Sequence, residues 1–264
     1  MSLESSLRSA RDSGRKLLVP YLMGGMTRDW LDCLRSIAAC GADAVEVGIP
    51  FSDPMIDGPI VQEAGERALE RGTTPESVLA DIATADIDVP VVVMTYYNLI
   101  FRAGHRRFAR RLADSGVQGA ILPDLSLEEA GSWCEEADDS GVATIFLVAP
   151  TTQDDRARRI CDRSRGFVYG ISTMGVTGER SDLAASATEI AARLKRLTDR
   201  PVCIGIGVST PEQAAAVCQE SDGAVVGSAL VRRLLEGAGP EGAGEFVASL
   251  RAGLDNAERA GANH

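Results

Sequence analysis

The chain is poor in histidine and lysine, two side chains on which many catalytic sites depend. Its only histidines are His105 and His264, so a histidine triad, a histidine-rich metal site or a histidine proton relay is disfavoured. Acid–base chemistry is therefore expected to rest mainly on carboxylates, tyrosine or lysine. The only lysines, Lys16 and Lys195, lie outside every strand-like run, which disfavours a Schiff-base lysine projecting into a barrel.

Paired cysteines and long apolar segments are also missing. The six cysteines are scattered, with no C-x-x-C pair, which is typical of reduced thiols in a cytosolic protein. The apolar runs are too short to span a bilayer. Residues 1–16 are charged and amphipathic, without the apolar region of a secretion signal. We therefore expect a cytoplasmic protein that has no membrane segment.

Positive charge is scarce as well. The 27 Lys+Arg face 38 Asp+Glu, and the formal net charge is −11, which disfavours binding to nucleic acids or anionic membranes. One small phosphate could still be held by backbone N–H groups. The arginines at 106, 107, 110 and 111 form a basic helix face, which indicates a solvated surface or a partner contact.

What the sequence does contain is a regular alternation of short apolar runs with longer amphipathic stretches. The runs cover residues 17–24, 44–50, 89–97, 119–124, 144–150, 167–172, 201–208 and 223–230. Their nearly continuous apolar character is typical of parallel strands buried on both faces. Eight such units predict an α/β fold, a closed (β/α)8 TIM barrel, with an extra N-terminal helix.

No linker divides the chain, so residues 1–264 are expected to form a single barrel domain. An open doubly wound sheet is the alternative. Its dinucleotide-binding form is disfavoured because no G-x-G-x-x-G motif follows the first run.

A carboxylate interrupts the second apolar run. Glu46 shares one strand face with Gly48, whereas Val45 and Val47 take the other. A buried carboxylate without a partner is costly, so its pKa should rise toward the range useful for proton transfer near neutrality. The alternative is a structural glutamate paired with a lysine or arginine.

The loop after this run is polar and rigid. It contains Asp53 and Asp57 with two prolines and a glycine, and Asp57 lies far enough along the loop to fold back over the strand end. Two carboxylates there would divide the work, one protonating and the other binding an N–H group. Turn formation and helix capping are the competing explanations.

Glycine-rich segments follow the last three runs. They are residues 172–178, which include Thr177 and Gly178, residues 205–209, which include Gly207, and residues 227–229, which include Gly227 and Ser228. Because barrels commonly bind phosphate in the loops after their last two strands, these segments predict a phosphate site. Tyr96, Asn98 and Tyr169 fall at strand ends, where they would line a planar ligand or pack in the core.

Residues 45–59, VEVGIPFSDPMIDGP, resemble the signature of the tryptophan synthase alpha chain family. Further similar segments follow in that family's order over roughly residues 17–235. They are VPYLMGG, MTYYNLIF, LPDLSLEE, YGISTMGVTG, IGIGVSTPEQ and VVGSAL.

The resemblance implies a (β/α)8 barrel that cleaves indole-3-glycerol phosphate to indole and glyceraldehyde 3-phosphate without a cofactor in this chain. By position, Glu46 matches the catalytic acid/base, and Asp57 matches the carboxylate that holds the indole N–H. Tyr21 and Tyr169 match pocket aromatics, and Thr177 matches a loop residue that closes beside Asp57. The phosphate-loop positions are Gly178, Gly207, Gly227 and Ser228.

The resemblance also implies a partner, a beta chain that carries pyridoxal phosphate, in an alpha2beta2 heterotetramer. Asp53 and the segment from Asn98 to Arg102 would lie near it. Other hypotheses are a stand-alone lyase that releases indole, another sugar-phosphate barrel enzyme that does not need Asp57, and a non-catalytic partner that activates a beta chain.

Overall fold

The computed structural model describes residues 2–171, 180–205 and 207–261. Nine strands within these ranges pair in parallel in one sheet. They are β1 (Leu17–Met23), β2 (Val45–Gly48), β3 (Val91–Met94), β4 (Val117–Ile121), β5 (Ala143–Ile145), β6 (Leu147–Val148), β7 (Val168–Ile171), β8 (Val202–Gly205) and β9 (Gly223–Val226).

Twelve helices within the same ranges connect and surround the strands. They are α1 (Leu3–Asp12), α2 (Trp30–Ala39), α3 (Pro59–Glu70), α4 (Pro75–Ala83), α5 (Tyr97–Ala103), α6 (His105–Asp114), α7 (Gly131–Asp139), α8 (Asp154–Arg163), α9 (Arg180–Leu197), α10 (Pro211–Val217), α11 (Ser228–Leu235) and α12 (Gly239–Gly261).

The sheet closes into a barrel at the fifth predicted apolar run, residues 144–150. Its strand order is β5-β4-β3-β2-β1-β9-β8-β7-β6, so the two outermost strands are neighbours in sequence, separated only by Phe146. The carbonyl of Phe146 accepts the N–H of Tyr169 at 3.1 Å, which continues the pairing with β7 across the division. One chain segment thus pairs with both β4 and β7, and the nine strands fill eight barrel positions. The predicted (β/α)8 barrel is confirmed.

The barrel interior is a separate apolar cluster from the core between strands and helices. Its strand members occupy alternate positions and include Val19, Val92 and Val225, and Ala44, the residue before β2, also belongs to it. Ala44 precedes Glu46 by two residues, so the same alternation directs Glu46 and Gly48 inward. The outward residues Val45 and Val47 belong to the core that contacts the helices.

The extra N-terminal helix α1 is also confirmed, and it closes the base of the barrel. Leu3 and Leu7 are buried in the interior cluster. A methyl group added at Gly119 or Gly166 would lie 2.9 or 2.5 Å from a Leu3 methyl carbon. Glycine at these two positions therefore gives α1 the room to approach the strands.

The sequence Thr210-Pro211-Glu212 predicts a helix start, because a capping residue is followed by proline, and the structure contains this helix. Thr210 caps α10 by accepting the N–H of Gln213, and Pro211 is the first helical residue. The third run ends earlier than predicted, because β3 stops at Met94 and Tyr97 begins α5. The N–H of Tyr97 donates to both carboxylate oxygens of Asp124, at 2.9 and 3.1 Å, and this long-range cap starts the helix.

None of the described helices has both the length and the apolar character needed to cross a bilayer.

Candidate active site

Glu46 is the centre of the site. It is 1% exposed on β2, and its Oε2 atom is buried without a hydrogen-bond partner. Burial, together with the nearby Asp57 carboxylate, raises the pKa of Glu46 to about 8. No cation pairs with Glu46 among the side chains that the structure describes, so these residues give no support to the alternative of a structural glutamate paired with a lysine or arginine. Its carboxyl group is thus largely protonated at neutral pH.

Two tyrosines stand near this carboxyl group. Tyr21 on β1 is in register with Glu46, and Tyr169 lies on β7, across the barrel. Burial raises the pKa of both phenols well above the usual range, with further contributions from Asp57 and Glu46 for Tyr21 and from Glu46 for Tyr169. The two carboxylates and the two phenols therefore share one electrostatic environment.

Glycines make the space that these rings occupy. A methyl group at Gly48 would lie within contact distance of the Tyr21 hydroxyl, and one at Gly205 would lie 2.7 Å from the Tyr169 ring. Met23 fills the remaining space beside Tyr21, with its Sδ atom 4.0 Å from the hydroxyl oxygen. Gly48 on β2 and Gly205 on β8 thus leave the room that the rings of Tyr21 and Tyr169 occupy.

Asp57 returns over the strand end, as the loop length predicts. Burial raises the pKa of its carboxyl group, although a hydrogen bond with the Tyr96 hydroxyl opposes that shift. The same hydroxyl accepts the N–H of Ile56 at 3.2 Å, and the Phe51 ring stacks on Tyr96 with centroids 5.1 Å apart. Tyr96 therefore contacts the loop at Phe51, Ile56 and Asp57 and helps to position the Asp57 carboxyl group.

A cavity of about 560 Å³ lies beside the end of the loop that carries Asp57. Its lining includes Gly58, the residue after Asp57, together with Gly207 and Ser228. Gly207 has a φ of +72°, a backbone conformation that favours glycine. Ser228 is the first residue of α11, so its N–H group has no acceptor within the helix and is available to an anion. Two of the predicted phosphate-binding residues therefore meet at one cavity.

Gly227, the residue before Ser228, lies next to the Tyr21 ring. A methyl group there would lie 3.7 Å from Cβ and from a ring carbon of Tyr21. Thr177 and Gly178, the remaining predicted loop residues, lie outside the described residues.

The predicted partner residues Asp53 and Asn98 are both exposed. Large apolar side chains are exposed near them in sequence. Met55 is 89%, Ile56 52% and Phe101 66% exposed. Isolated apolar residues on a surface are ordinary, but several exposed in one loop and in helix α5 are typical of an interaction surface.

Sequence reasoning missed the arginines that line this cavity. Arg232 and Arg233 line it from α11, and Arg233 also stacks on Phe246, with its guanidinium carbon 4.3 Å from the ring centroid. The available signal was an arginine pair one helical turn after Gly227 and Ser228. No group of three or more His, Cys, Asp or Glu side chains in the described ranges has the arrangement of a metal site.

Comparison with known proteins identifies the family. The family model described as "Tryptophan synthase alpha chain" matches residues 7–257. The chain belongs to the tryptophan synthase alpha chain family. A tryptophan synthase alpha chain from Streptomyces coelicolor is 42% identical over 260 residues, covering 96% of each chain. One from Carboxydothermus hydrogenoformans is 45% identical over 226 residues, covering 84% of each.

Solved structures of tryptophan synthase are similar as well. A chain of tryptophan synthase from Mycobacterium tuberculosis superposes with a TM-score of 0.87 at 39% identity, covering 96% of this chain and 97% of that one. A tryptophan synthase alpha subunit from Legionella pneumophila has a TM-score of 0.87 at 30% identity, covering 97% and 99%. The resemblance of residues 45–59 to the tryptophan synthase alpha chain family is thus confirmed over nearly the whole chain.

Proposed function

We propose that this chain, as a tryptophan synthase alpha subunit, uses Glu46 and Asp57 to cleave indole-3-glycerol phosphate into indole and glyceraldehyde 3-phosphate. The reaction is a carbon–carbon lyase step of tryptophan biosynthesis. The observation that carries the residue assignment is the buried, unpartnered carboxyl group of Glu46, which faces the barrel interior with Asp57 beside it. The same residues explain how the bond is broken.

The first step is protonation of the indole ring. Glu46, protonated at neutral pH because of its raised pKa, donates its proton to the ring carbon that carries the glycerol side chain. The ring becomes a cation whose charge extends to its N–H group. The carboxylate of Asp57 accepts a hydrogen bond from that N–H and stabilises the positive charge.

The second step breaks the carbon–carbon bond. The Glu46 carboxylate takes the proton of the hydroxyl group on the adjacent side-chain carbon. The electrons of the O–H bond form the aldehyde carbonyl, and the pair from the broken carbon–carbon bond restores the aromatic ring. Glu46 ends the cycle protonated, as it began, so no proton is gained or lost overall.

The substrate is held at its phosphate and at its indole ring. Backbone N–H groups of Gly178, Gly207, Gly227 and Ser228 bind the phosphate, and the partial positive charge at the start of α11 adds to this attraction. The indole ring lies in a pocket lined by the rings of Tyr21, Tyr96 and Tyr169. Thr177 closes beside Asp57 and helps exclude water.

The chain functions with a tryptophan synthase beta chain. We propose an alpha2beta2 heterotetramer in the cytoplasm, in which pyridoxal phosphate belongs to the beta chain and no cofactor to this one. Asp53 and Asn98 contact the partner, because both are exposed beside Met55, Ile56 and Phe101. Residues 1–264 form one barrel domain, in keeping with the closed sheet.

Replacing the acid tests the assignment. Glu46→Gln keeps the shape of the side chain but has no proton to donate at neutral pH. We expect indole release from indole-3-glycerol phosphate to fall by about 10²–10⁴-fold in kcat, with KM changed by less than about threefold. Asp57→Asn should also lose most activity, since a neutral amide cannot balance the ring cation.

Glu66→Gln is the matched control, because Glu66 is exposed on α3 and the substitution makes the same chemical change. It should retain full activity. Near-normal turnover of Glu46→Gln would overturn the role of Glu46. Unchanged activity of Asp57→Asn would instead favour a different phosphate-barrel enzyme.

A further inference from the structure

Helix α6 carries a basic groove on an otherwise acidic molecule. Four arginines, at 106, 107, 110 and 111, line a surface groove of about 770 Å³ together with His105 and Glu136. The whole chain has a net charge of −11, so this group of cations is a local exception. We refer to it below as the α6 groove.

Half of these arginines make no close ion pair. Arg106 pairs with Glu136 at 3.0 Å, and Arg111 pairs with Glu76 at 2.5 Å. Arg107 and Arg110 are exposed and make no ion pair with any residue that the structure describes, although the charge of Arg107 helps to lower the pKa of the Glu76 carboxyl group. The α6 groove therefore exposes more positive charge to solvent than its own carboxylates neutralise by close pairing.

The position of these charges opposes helix stability. Gly104 is the N-cap of α6, with no side-chain capping bond, and the first turn contains no acidic residue. Arg106 and Arg107 instead add positive charge at the positive end of the helix dipole, an arrangement that is unfavourable in isolation. An anionic group in the α6 groove would neutralise the arginines and accept hydrogen bonds from the first N–H groups of the helix.

The α6 groove is continuous with the proposed partner surface. Phe101 on α5 is 66% exposed, and its ring centroid is 6.4 Å from that of His105 in the groove. The Tyr97 hydroxyl lies 2.9 Å from Nε2 of His105, which fixes α5 against α6. Exposed aromatic residues next to arginines are the composition enriched at protein interfaces.

We infer that the α6 groove extends the beta-chain interface and binds an acidic segment of that partner. This inference rests on the proposed partner role of the surface around Asn98 and Phe101. An acidic protein segment fits better than a nucleic acid, because the net negative charge of the chain repels a long polyanion beyond the groove. The free arginines steer the partner toward the apolar contact at Phe101.

The test reverses the two unpaired charges. The binding of Arg107→Glu/Arg110→Glu to the purified beta chain is measured by surface plasmon resonance at 50 and 500 mM NaCl. We expect about tenfold weaker binding at low salt, mainly through slower association, and a difference below about threefold at high salt. The milder pair Arg107→Gln/Arg110→Gln should show an intermediate loss, and thermal unfolding confirms that each variant is folded.

Arg158→Glu/Arg196→Glu is the matched control. These arginines are exposed on α8 and α9 and have no ion pair among the described residues, and the substitution changes the net charge by the same amount. The control should bind the beta chain nearly as the wild type does. Equal weakening of the two double variants would overturn the inference and leave the lyase assignment intact.

Two further outcomes would also overturn it. If the unmodified chain fails to bind the beta chain, the proposed partner role fails together with the inference. Inorganic tripolyphosphate serves as a probe for a small-anion site. If Arg107→Glu/Arg110→Glu loses tripolyphosphate binding but keeps wild-type affinity for the beta chain, the groove binds small anions and not the partner.

Discussion

At the scale of single residues, the buried carboxyl group of Glu46 is suited to catalysis but lowers the stability of the folded protein. Its carboxyl group is buried with one oxygen unpartnered, and a buried ionised carboxylate without a partner is strongly unfavourable. The folded protein therefore keeps Glu46 protonated at a pH where the unfolded chain releases the proton. The property that makes Glu46 a useful acid also lowers the stability of the fold.

This cost predicts a pH-dependent gain in stability for Glu46→Gln. Between the ordinary pKa of 4.5 and the folded value of about 8, the folded state holds one more proton than the unfolded state, so wild-type stability falls as pH rises. Relative to Glu46→Gln, the wild type should lose roughly 1.4 kcal/mol per pH unit between pH 5 and 7.5. Urea unfolding of both proteins at several pH values measures this difference, and a constant difference would contradict the raised pKa.

The rate of indole release should also depend on the protonation of Glu46. Because Glu46 must be protonated to donate, kcat for indole release should decline above pH 8 with an apparent pKa near the folded value of about 8. Ionisation of Asp57, whose pKa burial also raises, sets the acid limb. A rate that stays flat from pH 7 to 10 would argue against an acid role for Glu46.

At the scale of secondary structure elements, α1 acts as the base of the barrel. Leu3 and Leu7 are buried members of the cluster that fills the barrel interior. The helix is also held at its polar face, where Glu4 accepts the N–H of Gly166 at 3.2 Å and pairs with Arg8 at 3.0 Å. Its contribution is therefore to stability and not to the reacting groups.

We expect Leu7→Ala to destabilise the protein by about 2–5 kcal/mol, because it leaves a cavity in a fully packed interior. The kcat for indole release at low temperature should stay near the wild-type value. Leu69→Ala, at a position that is 36% exposed on α3, is the control and should cost far less. A change of under 1 kcal/mol for Leu7→Ala would show that α1 does not seal the barrel.

At the scale of the whole molecule, a buried ionic cluster joins the last helix to the start of the barrel. Arg251 on α12 is 6% exposed and donates to the Lys16 carbonyl oxygen at 2.7 Å. It also pairs with Asp43 at 3.2 Å and with Asp255 at 2.7 Å. Asp43 in turn accepts the N–H of Leu18 at 2.8 Å, so one cluster links α12, β1 and the segment before β2.

Removing the central cation should be costly. Arg251→Met is expected to destabilise the protein by about 3–5 kcal/mol, since it leaves the Lys16 carbonyl without its buried donor and removes one of the cations that pair with the buried Asp43. Arg156→Met breaks an exposed pair with Glu128 and should cost less than about 1 kcal/mol. Calorimetric or urea unfolding compares the two, and equal losses would contradict a structural role for the buried cluster.

The sequence by itself determined the features that depend on local periodicity and on chain order. Alternating apolar runs and amphipathic stretches specified the β/α units, and Thr210–Pro211 marked a helix start that the structure contains. Strand alternation placed Glu46 and Gly48 on one face of the strand, and the structure showed that this face is the barrel interior. These are local consequences of backbone geometry, so a short window of sequence carries them.

Only the tertiary structure decided how distant groups meet. Closure of the sheet at Phe146, the long-range cap of Asp124 on α5, and the meeting of Gly58 with Gly207 and Ser228 join residues far apart in the chain. The raised pKa of Glu46 likewise requires that packed neighbours exclude water and that the Asp57 carboxylate lies nearby. Desolvation is a property of the surrounding atoms in space, which local sequence spacing does not specify.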